Sequence, residues 1–264
     1  MGQMRSTVLF LVSLLAITAA CSGGDEPRFR PRASAQDHPE QGSRTPRPPP
    51  PPPSSAVTVT PTPPPSSGTV ALPPADPRLM NPATLTAHAP ATFAVELTTT
   101  EGTIIIDVTR AWAPNGADRF YNLVQNGFFN DVAFFRVIAG FMAQTGIHGN
   151  PRVAAAWQHA NIQDDPAGVQ HNARGFVSFA TAGPNTRTTQ FFINLVDNSR
   201  LDGMGFAPFG RVRDMTHVDA LYNVYGEGAP AGHGPTQGRI QSEGNTYLHA
   251  EFPQLDYIQS ARVL

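Results

Sequence analysis

The segment that decides the fold of this chain is residues 134–144, which read Phe-Phe-Arg-Val-Ile-Ala-Gly-Phe-Met-Ala-Gln. Apolar residues on both sides of a glycine predict a strand, a turn at Gly140 and a second strand. Because successive side chains of a strand point to opposite faces, Arg136 shares a face with Phe134 and Ile138. Taken alone, such an arginine is best interpreted as a rim residue, with its stem over apolar surface and its head in water.

The strand pattern of this segment recurs through the C-terminal part of the chain. Helical spacing of apolar residues predicts a helix at residues 114–126. Residues 145–172 are interpreted as a long irregular region and the Gly-rich run 226–238 as a loop. Several strands with few helices between them favour a mainly β, antiparallel barrel or sandwich. The predicted strands outside the opening segment are residues 93–97, 103–108, 175–182, 188–194 and 209–212.

The first 21 residues are similar to a bacterial lipoprotein signal. Arg5 precedes the apolar run 7–20, which is too short for a permanent membrane-spanning helix and ends in small residues before Cys21. The resemblance implies a signal peptide over residues 1–20 and a lipid on Cys21, which would become the new N-terminus. An ordinary signal peptide, with Cys21 incidental, is the alternative. Cys21 is the only cysteine, so a disulfide within the chain is excluded.

A Pro-rich segment separates this signal from the part of the chain with strand patterns. Residues 21–90 are rich in Arg, Ser, Thr, Gln and Pro and include six consecutive prolines at 48–53. Such a composition buries too little apolar surface to offset its ordering entropy, so it predicts a disordered, lipid-anchored linker. A ligand for proline-binding modules or a contact with cell-wall polymer is the alternative. Residues 91–264 are long enough for one domain with a substantial core.

Charge and histidine spacing argue against two classes of function. The chain has a formal net charge of −2, and its basic residues are scattered arginines, which disfavours nucleic-acid binding. His148, His159 and His171 match no helical or turn spacing for a metal site, and no cysteine lies near them. We therefore expect no metal and no cofactor.

A set of motifs, taken together and in order, resembles the cyclophilin family of peptidyl-prolyl cis-trans isomerases. The resemblance extends over about residues 93–224, and it implies a closed antiparallel eight-stranded barrel capped by about two helices. The motifs are Phe-Arg-Val-Ile at 135–138, Gly-Phe-Met-Ala-Gln at 140–144, Ala-Gly-Pro-Asn-Thr at 182–186, Gln-Phe-Phe-Ile at 190–193, Leu-Asp at 201–202 and Phe-Gly-Arg-Val at 209–212.

The chemistry implied by this resemblance breaks no covalent bond. Rotation about an X-Pro bond must overcome amide resonance, with a barrier near ~20 kcal/mol. A site that grips the proline and favours the twisted amide accelerates it. The resemblance implies catalytic roles for Arg136, Gln144 and Phe141, with the guanidinium near the proline carbonyl and Gln144 holding it. It implies that the proline pocket is lined by Phe141, Met142, Phe192, Leu201 and Phe206. It also implies that the adjoining groove is lined by Ala180, Thr181, Ala182 and Gln190.

Three positions depart from the familiar pattern of the family. Arg200 stands where many members have Trp, which puts tight cyclosporin binding in doubt. Phe206 stands where a His often lies, and Thr181 replaces an Asn. We expect substrate preference to differ accordingly.

The functional prediction is a lipid-anchored, monomeric isomerase in the bacterial cell envelope that acts on proline-containing exported polypeptides. Two alternatives stay open from the sequence. One is a non-catalytic module that holds a proline-containing segment of an envelope partner. The other is an adhesive or wall-contacting surface lipoprotein, which rests on the Arg/Pro-rich segment alone.

Overall fold

The computed structural model describes residues 74–264. The predicted signal peptide, Cys21 and most of the predicted linker lie outside these residues. The described strands are β1 Thr92–Thr99, β2 Gly102–Thr109, β3 Val132–Ala133, β4 Arg136–Ile138, β5 Met142–Thr145, β6 Phe176–Phe179, β7 Phe191–Asn194, β8 Pro208–Val212 and β9 Tyr257–Val263. The helices are α1 Pro114–Gln125, α2 Pro151–Trp157, α3 Thr216–Asp219, α4 Gln237–Glu243 and α5 Asn245–Glu251.

The hairpin of β1 and β2 shows how the sequence pattern builds the sheet. Every second residue of β1 is buried, and Val95 lies opposite Ile106 of β2. The turn ends at Gly102, whose φ of 130° suits a residue without a side chain. A Cβ at this position would lie 2.5 Å from the ring of His217, so glycine also allows α3 to pack closely.

All nine strands join one antiparallel sheet, in the order β3-β9-β1-β2-β8-β6-β7-β5-β4. The prediction of a mainly β, antiparallel fold is confirmed. The prediction of a closed eight-stranded barrel is wrong, because within residues 74–264 no ladder joins the edge strands β3 and β4. Only Phe134 and Phe135 separate these edges in sequence, so the open sheet must curl until they lie within roughly 11 Å.

The helix α1 packs in the main core against this sheet. Its buried side carries Phe120, whose ring contacts those of Phe191 and Phe209 at centroid distances of 5.4 and 5.0 Å. Asp165 caps the helix, since its carboxylate accepts the backbone N–H groups of Asn115 and Gly116, both at 2.8 Å. Burial opposes ionisation of this carboxyl and raises the pKa of Asp165, although the backbone N–H groups act in the other direction.

A second, smaller core lies between the helices α2, α4 and α5 and the edge of the sheet. It joins Phe135 and Ala154 to Ile240 and Leu248, and so packs α4 and α5 near α2. Residues 145–172 were predicted to be irregular. This prediction is wrong in part, because the region contains α2. Asn150 begins that helix, with its side-chain oxygen accepting the N–H of Arg152 at 3.0 Å.

The folded part of the chain begins before residue 91, the boundary predicted from composition. Leu79 is only 2% exposed and packs in the main core. Its carbonyl accepts the indole N–H of Trp157 at 2.8 Å. Ala87 exchanges two hydrogen bonds with the side chain of Asn122 on α1. Composition misplaced the boundary because a segment without periodicity is fixed here by a few contacts far away in sequence.

Two kinds of feature are absent from residues 74–264. None of the described helices is long and apolar enough to cross a membrane. No group of three or more His, Cys, Asp or Glu side chains in this part of the chain could hold a metal ion.

Substituting Leu79→Ala should lower the free energy of unfolding by roughly 2–5 kcal/mol, because a buried side chain is removed and leaves a cavity. Urea denaturation would measure the change. The matched control is Met80→Ala, which truncates the neighbouring side chain of a residue that is 37% exposed and should change stability by less than about 0.5 kcal/mol. Equal effects of the two substitutions would contradict the anchoring of this segment.

Candidate active site

The site is built on one row of side chains across three strands. Arg136 on β4 lies opposite Gln144 on β5, which lies opposite Phe192 on β7. Residues directly opposite in an antiparallel sheet share a face, so these three side chains stand next to one another. Ile138 and Met142 form the next row on that face. The sequence pattern predicted the strands, and their register brings the cation to the apolar residues.

Hydrogen bonds between side chains fix the polar end of the row. The Nη1 group of Arg136 donates to Oε1 of Gln144 at 2.9 Å, and Nε2 of Gln144 donates to Oε1 of Gln190 at 2.9 Å. Gln144 is buried, whereas the side chain of Arg136 is 23% exposed. The structure therefore places Gln144 between the arginine and Gln190.

An apolar patch adjoins the guanidinium, which lies 6.0 Å from the ring centroid of Phe141. The ring of Phe206 packs edge-on against Phe192, with centroids 5.6 Å apart. Partly exposed apolar side chains that pack on buried apolar ones form a surface on which a small apolar ring can bind. The buried members of this cluster are Met142, Phe192 and Leu201, and the partly buried ones are Ile138, Phe141, Ala180 and Phe206.

The other residues predicted for the adjoining groove lie on the turn after β6. The N–H of Ala180 donates to the carbonyl of Gln190 at 2.9 Å, which attaches the turn to the site. Thr181 uses its hydroxyl within the turn, donating to the carbonyl of Gly183, and the N–H of Ala182 donates to Thr186 Oγ1 at 2.9 Å. Thr181 and Ala182 thus lie next to the apolar patch but are not members of it.

Glu227 also contacts the site, although the sequence analysis missed it. Its carboxylate accepts Nε and Nη2 of Arg136 at 2.6 Å each, in a bidentate pair. Burial opposes ionisation, but the hydrogen bonds and charge of Arg136 outweigh it and lower the pKa of Glu227. The available signal was that Glu227 is the only Asp or Glu in the Gly-rich run 226–238.

A buried polar network, also missed from sequence, supports the wall formed by Leu201 and Phe206. Nδ2 of Asn172 donates to Asp202 Oδ1 at 2.8 Å and to the carbonyl of Phe206 at 2.9 Å. Ser178 donates to Asn172 Oδ1 at 2.8 Å. Burial opposes ionisation of Asp202, but the hydrogen bonds from the side chain and backbone of Asn172 and from the ring of His171 outweigh it and lower the pKa of Asp202. Asn172 thus connects the sheet to the wall of the patch.

Arg200 adds a second cation at the edge of the apolar patch. Its guanidinium carbon lies 4.9 Å from the ring centroid of Phe141, a cation–π contact. Arg200 is exposed, so it covers one side of the Phe141 ring from the solvent side.

Comparison with known proteins assigns this arrangement to a family. The sequence profile described as "Cyclophilin type peptidyl-prolyl cis-trans isomerase/CLD" matches residues 94–241, more than half of the 264-residue chain. The chain belongs to this family. It is a cyclophilin-type peptidyl-prolyl cis-trans isomerase, as the motifs predicted.

Curated relatives and a solved structure agree with the assignment to the cyclophilins. A peptidyl-prolyl cis-trans isomerase of Acinetobacter baylyi is 37% identical over 147 residues, covering 53% of this chain and 77% of the relative. A peptidyl-prolyl cis-trans isomerase-like 1 of Rhizopus delemar is 39% identical over 126 residues, covering 47% and 76%. A cyclophilin-type isomerase of Cryptosporidium parvum shares the fold, with a TM-score of 0.50 at 20% identity over 66% of this chain and 98% of that one.

Replacing Asn172→Ala in this cyclophilin should lower the free energy of unfolding by roughly 1–3 kcal/mol, because buried groups of Ser178 and Phe206 lose their partner. It should also raise KM, since the wall of the apolar patch loses its support. Chemical denaturation and peptide kinetics would measure both. Asn223→Ala, at an exposed asparagine, is the control and should change neither. An unchanged stability for Asn172→Ala would contradict the role of the network.

Proposed function

We propose that the isomerase binds proline on the apolar patch and uses Arg136 to favour the twisted amide. The observation that carries this proposal is the convergence of one cation and the apolar cluster on a single face of β4, β5 and β7. A proline ring on Phe141, Met142, Phe192, Leu201 and Phe206 places its amide beside the guanidinium. The residue before proline then lies along Ala180, Thr181, Ala182 and Gln190.

The guanidinium of Arg136 keeps donors for this task. An arginine has five N–H groups in a rigid plane. Nε, one N–H of Nη2 and one N–H of Nη1 are taken by Glu227 and Gln144. The second N–H of Nη1 has only the weak acceptor Met142 Sδ, at 4.0 Å, and the second of Nη2 is left for substrate.

The remaining donors can act on the transition state more than on the planar amide. As the X-Pro bond twists, resonance is lost and the nitrogen lone pair becomes an acceptor. A fixed N–H that reaches this lone pair, or the adjacent carbonyl, stabilises the twisted form relative to both planar forms. No nucleophile, metal or cofactor is needed, because no covalent bond is formed or broken.

We further propose that the enzyme acts on exported polypeptides in the bacterial cell envelope, as a lipid-anchored monomer. The support is the signal-like pattern of residues 1–20, the cysteine that follows it, and the Pro-rich composition up to residue 73. A Pro-rich composition of this kind is typical of a spacer between an anchor and a domain.

Arg136→Ala should lower kcat/KM on a proline peptide by on the order of 100-fold, because the donor aimed at the twisting amide is lost. Arg136→Lys should recover little, since an ammonium lacks the planar fork. Exchange spectroscopy on the peptide would measure the rates. The control Arg213→Ala removes an exposed arginine paired with Asp107 and should leave the rates unchanged. Activity unaffected by Arg136→Ala would refute the proposed mechanism, and peptide binding without faster exchange in the wild type would favour a non-catalytic binding module.

In a bacterial host, mass spectrometry of the mature protein should detect an acylated N-terminal Cys21. Cys21→Ser should release the protein from the membrane fraction, because a lipid is then no longer attached. An unmodified N-terminus elsewhere in the chain would contradict the anchor without bearing on the isomerase activity.

A further inference from the structure

The ion pair of Arg136 with Glu227 has a geometry that fixes the orientation of the Arg136 side chain. Both carboxylate oxygens accept from the same guanidinium, at Nε and Nη2, with both distances 2.6 Å. Both side chains are partly buried, at 23% and 33% exposure. A bidentate pair fixes the plane of the guanidinium as well as its position, unlike a single contact.

The loop that carries Glu227 holds the backbone of this residue closely. The N–H of Gly234 donates to the carbonyl of Glu227 at 2.7 Å, and the N–H of Gly228 donates to its Oε1 at 2.8 Å. A Cβ at Gly232 would lie 2.4 Å from the Glu227 carbonyl oxygen. Gly232 and Gly234 therefore let the loop fold closely around Glu227.

The end of this loop is attached to the second core. The N–H of Thr236 donates to the hydroxyl of Tyr247 on α5 at 3.1 Å, and Tyr247 is itself buried. The carboxylate of Glu227 is thus connected through a short loop to a packed helix. It meets Arg136 from the side opposite to Gln144, which holds Nη1.

We propose that Glu227 is a positioning residue for the isomerisation. Held between Glu227 and Gln144, the guanidinium presents its free N–H groups to the substrate in one orientation. An arginine without these partners would spread over many rotamers, and few of them would reach the twisting amide. This inference rests on the proposed catalytic role of Arg136.

The position of the carboxylate argues against simple competition with substrate. Glu227 occupies the edge of the guanidinium formed by Nε and Nη2, whereas Gln144 and Met142 contact Nη1, on the side of the apolar patch. The pair of Arg239 with Glu251, by contrast, has side chains that are 42% and 48% exposed, and neither residue belongs to the apolar patch. The pair at Arg136 differs from it by its place at the site.

The test is peptide exchange spectroscopy with the chain and its variants, giving kcat and KM separately. Glu227→Ala should lower kcat by about 10- to 100-fold and change KM less than about threefold, because the apolar patch is untouched. Glu227→Gln should recover part of kcat, since its amide oxygen can still accept one N–H. Glu251→Ala is the matched control, at a glutamate that pairs with an arginine elsewhere, and should change neither constant.

A double variant separates this inference from the proposed function. If Glu227 acts through Arg136, Glu227→Ala should have no further effect on kcat in the Arg136→Ala background. If Arg136→Ala is impaired but Glu227→Ala is as fast as wild type, or faster, the inference is overturned and the proposed function stays intact. Full activity of Arg136→Ala would instead overturn the proposed function and the inference with it. Thermal unfolding checks that each variant is folded. If Glu227→Ala is unfolded, the isosteric Glu227→Gln takes its place, and the ratio of its kcat to that of wild type decides whether the inference holds.

Discussion

The register of β4, β5 and β7 is the constraint on which the site depends. It places Arg136 beside Gln144 and Gln144 beside Phe192, and so it brings a permanent cation to an apolar surface. A slip of one residue in β4 would turn Arg136 toward the core, where Val137 now lies buried. An unpaired guanidinium in that core would be costly, so burial itself enforces the register that the chemistry needs.

The two residues before Arg136 fix its strand from both sides. Phe134 is buried in the main core under the sheet, and Phe135 is buried in the second core with α4 and α5. These residues also form the short connection between the two edges of the open sheet. Alternation wrongly placed Phe134 on the face of Arg136: Phe134 packs in the main core with Val137, because residues 134–135 lie between β3 and β4. Arg136 therefore begins its strand at the meeting point of both cores. The second core in turn holds Tyr247, which positions the loop of Glu227.

The local sequence pattern predicted those helices and strands that interactions between near neighbours in sequence determine. The hairpin, α1 and the strands around the site follow from alternation, helical spacing and turn residues, and the family motifs added Gln144 and the patch. The open sheet was not predictable in this way, because alternation within a strand does not show whether the edge strands β3 and β4 pair with each other. Leu79 and Glu227 were missed because each contacts its partner across a long stretch of sequence, 78 residues from Leu79 to Trp157 and 91 from Arg136 to Glu227, and neither lies in a periodic segment.

Two departures from the familiar family pattern, Phe206 and Thr181, add no free polar side-chain group to the patch. Phe206 adds its ring to Phe192, so this wall is apolar, and its backbone carbonyl is held from behind by Asn172. Thr181 uses its hydroxyl within its own turn. In the proposed function, the polar contacts to a bound amide come mainly from the guanidinium of Arg136, with Gln144 and Gln190 beside it. For a reaction that breaks no covalent bond, one oriented donor beside an apolar surface is sufficient, and the orientation of that donor becomes the property that the surrounding structure must supply.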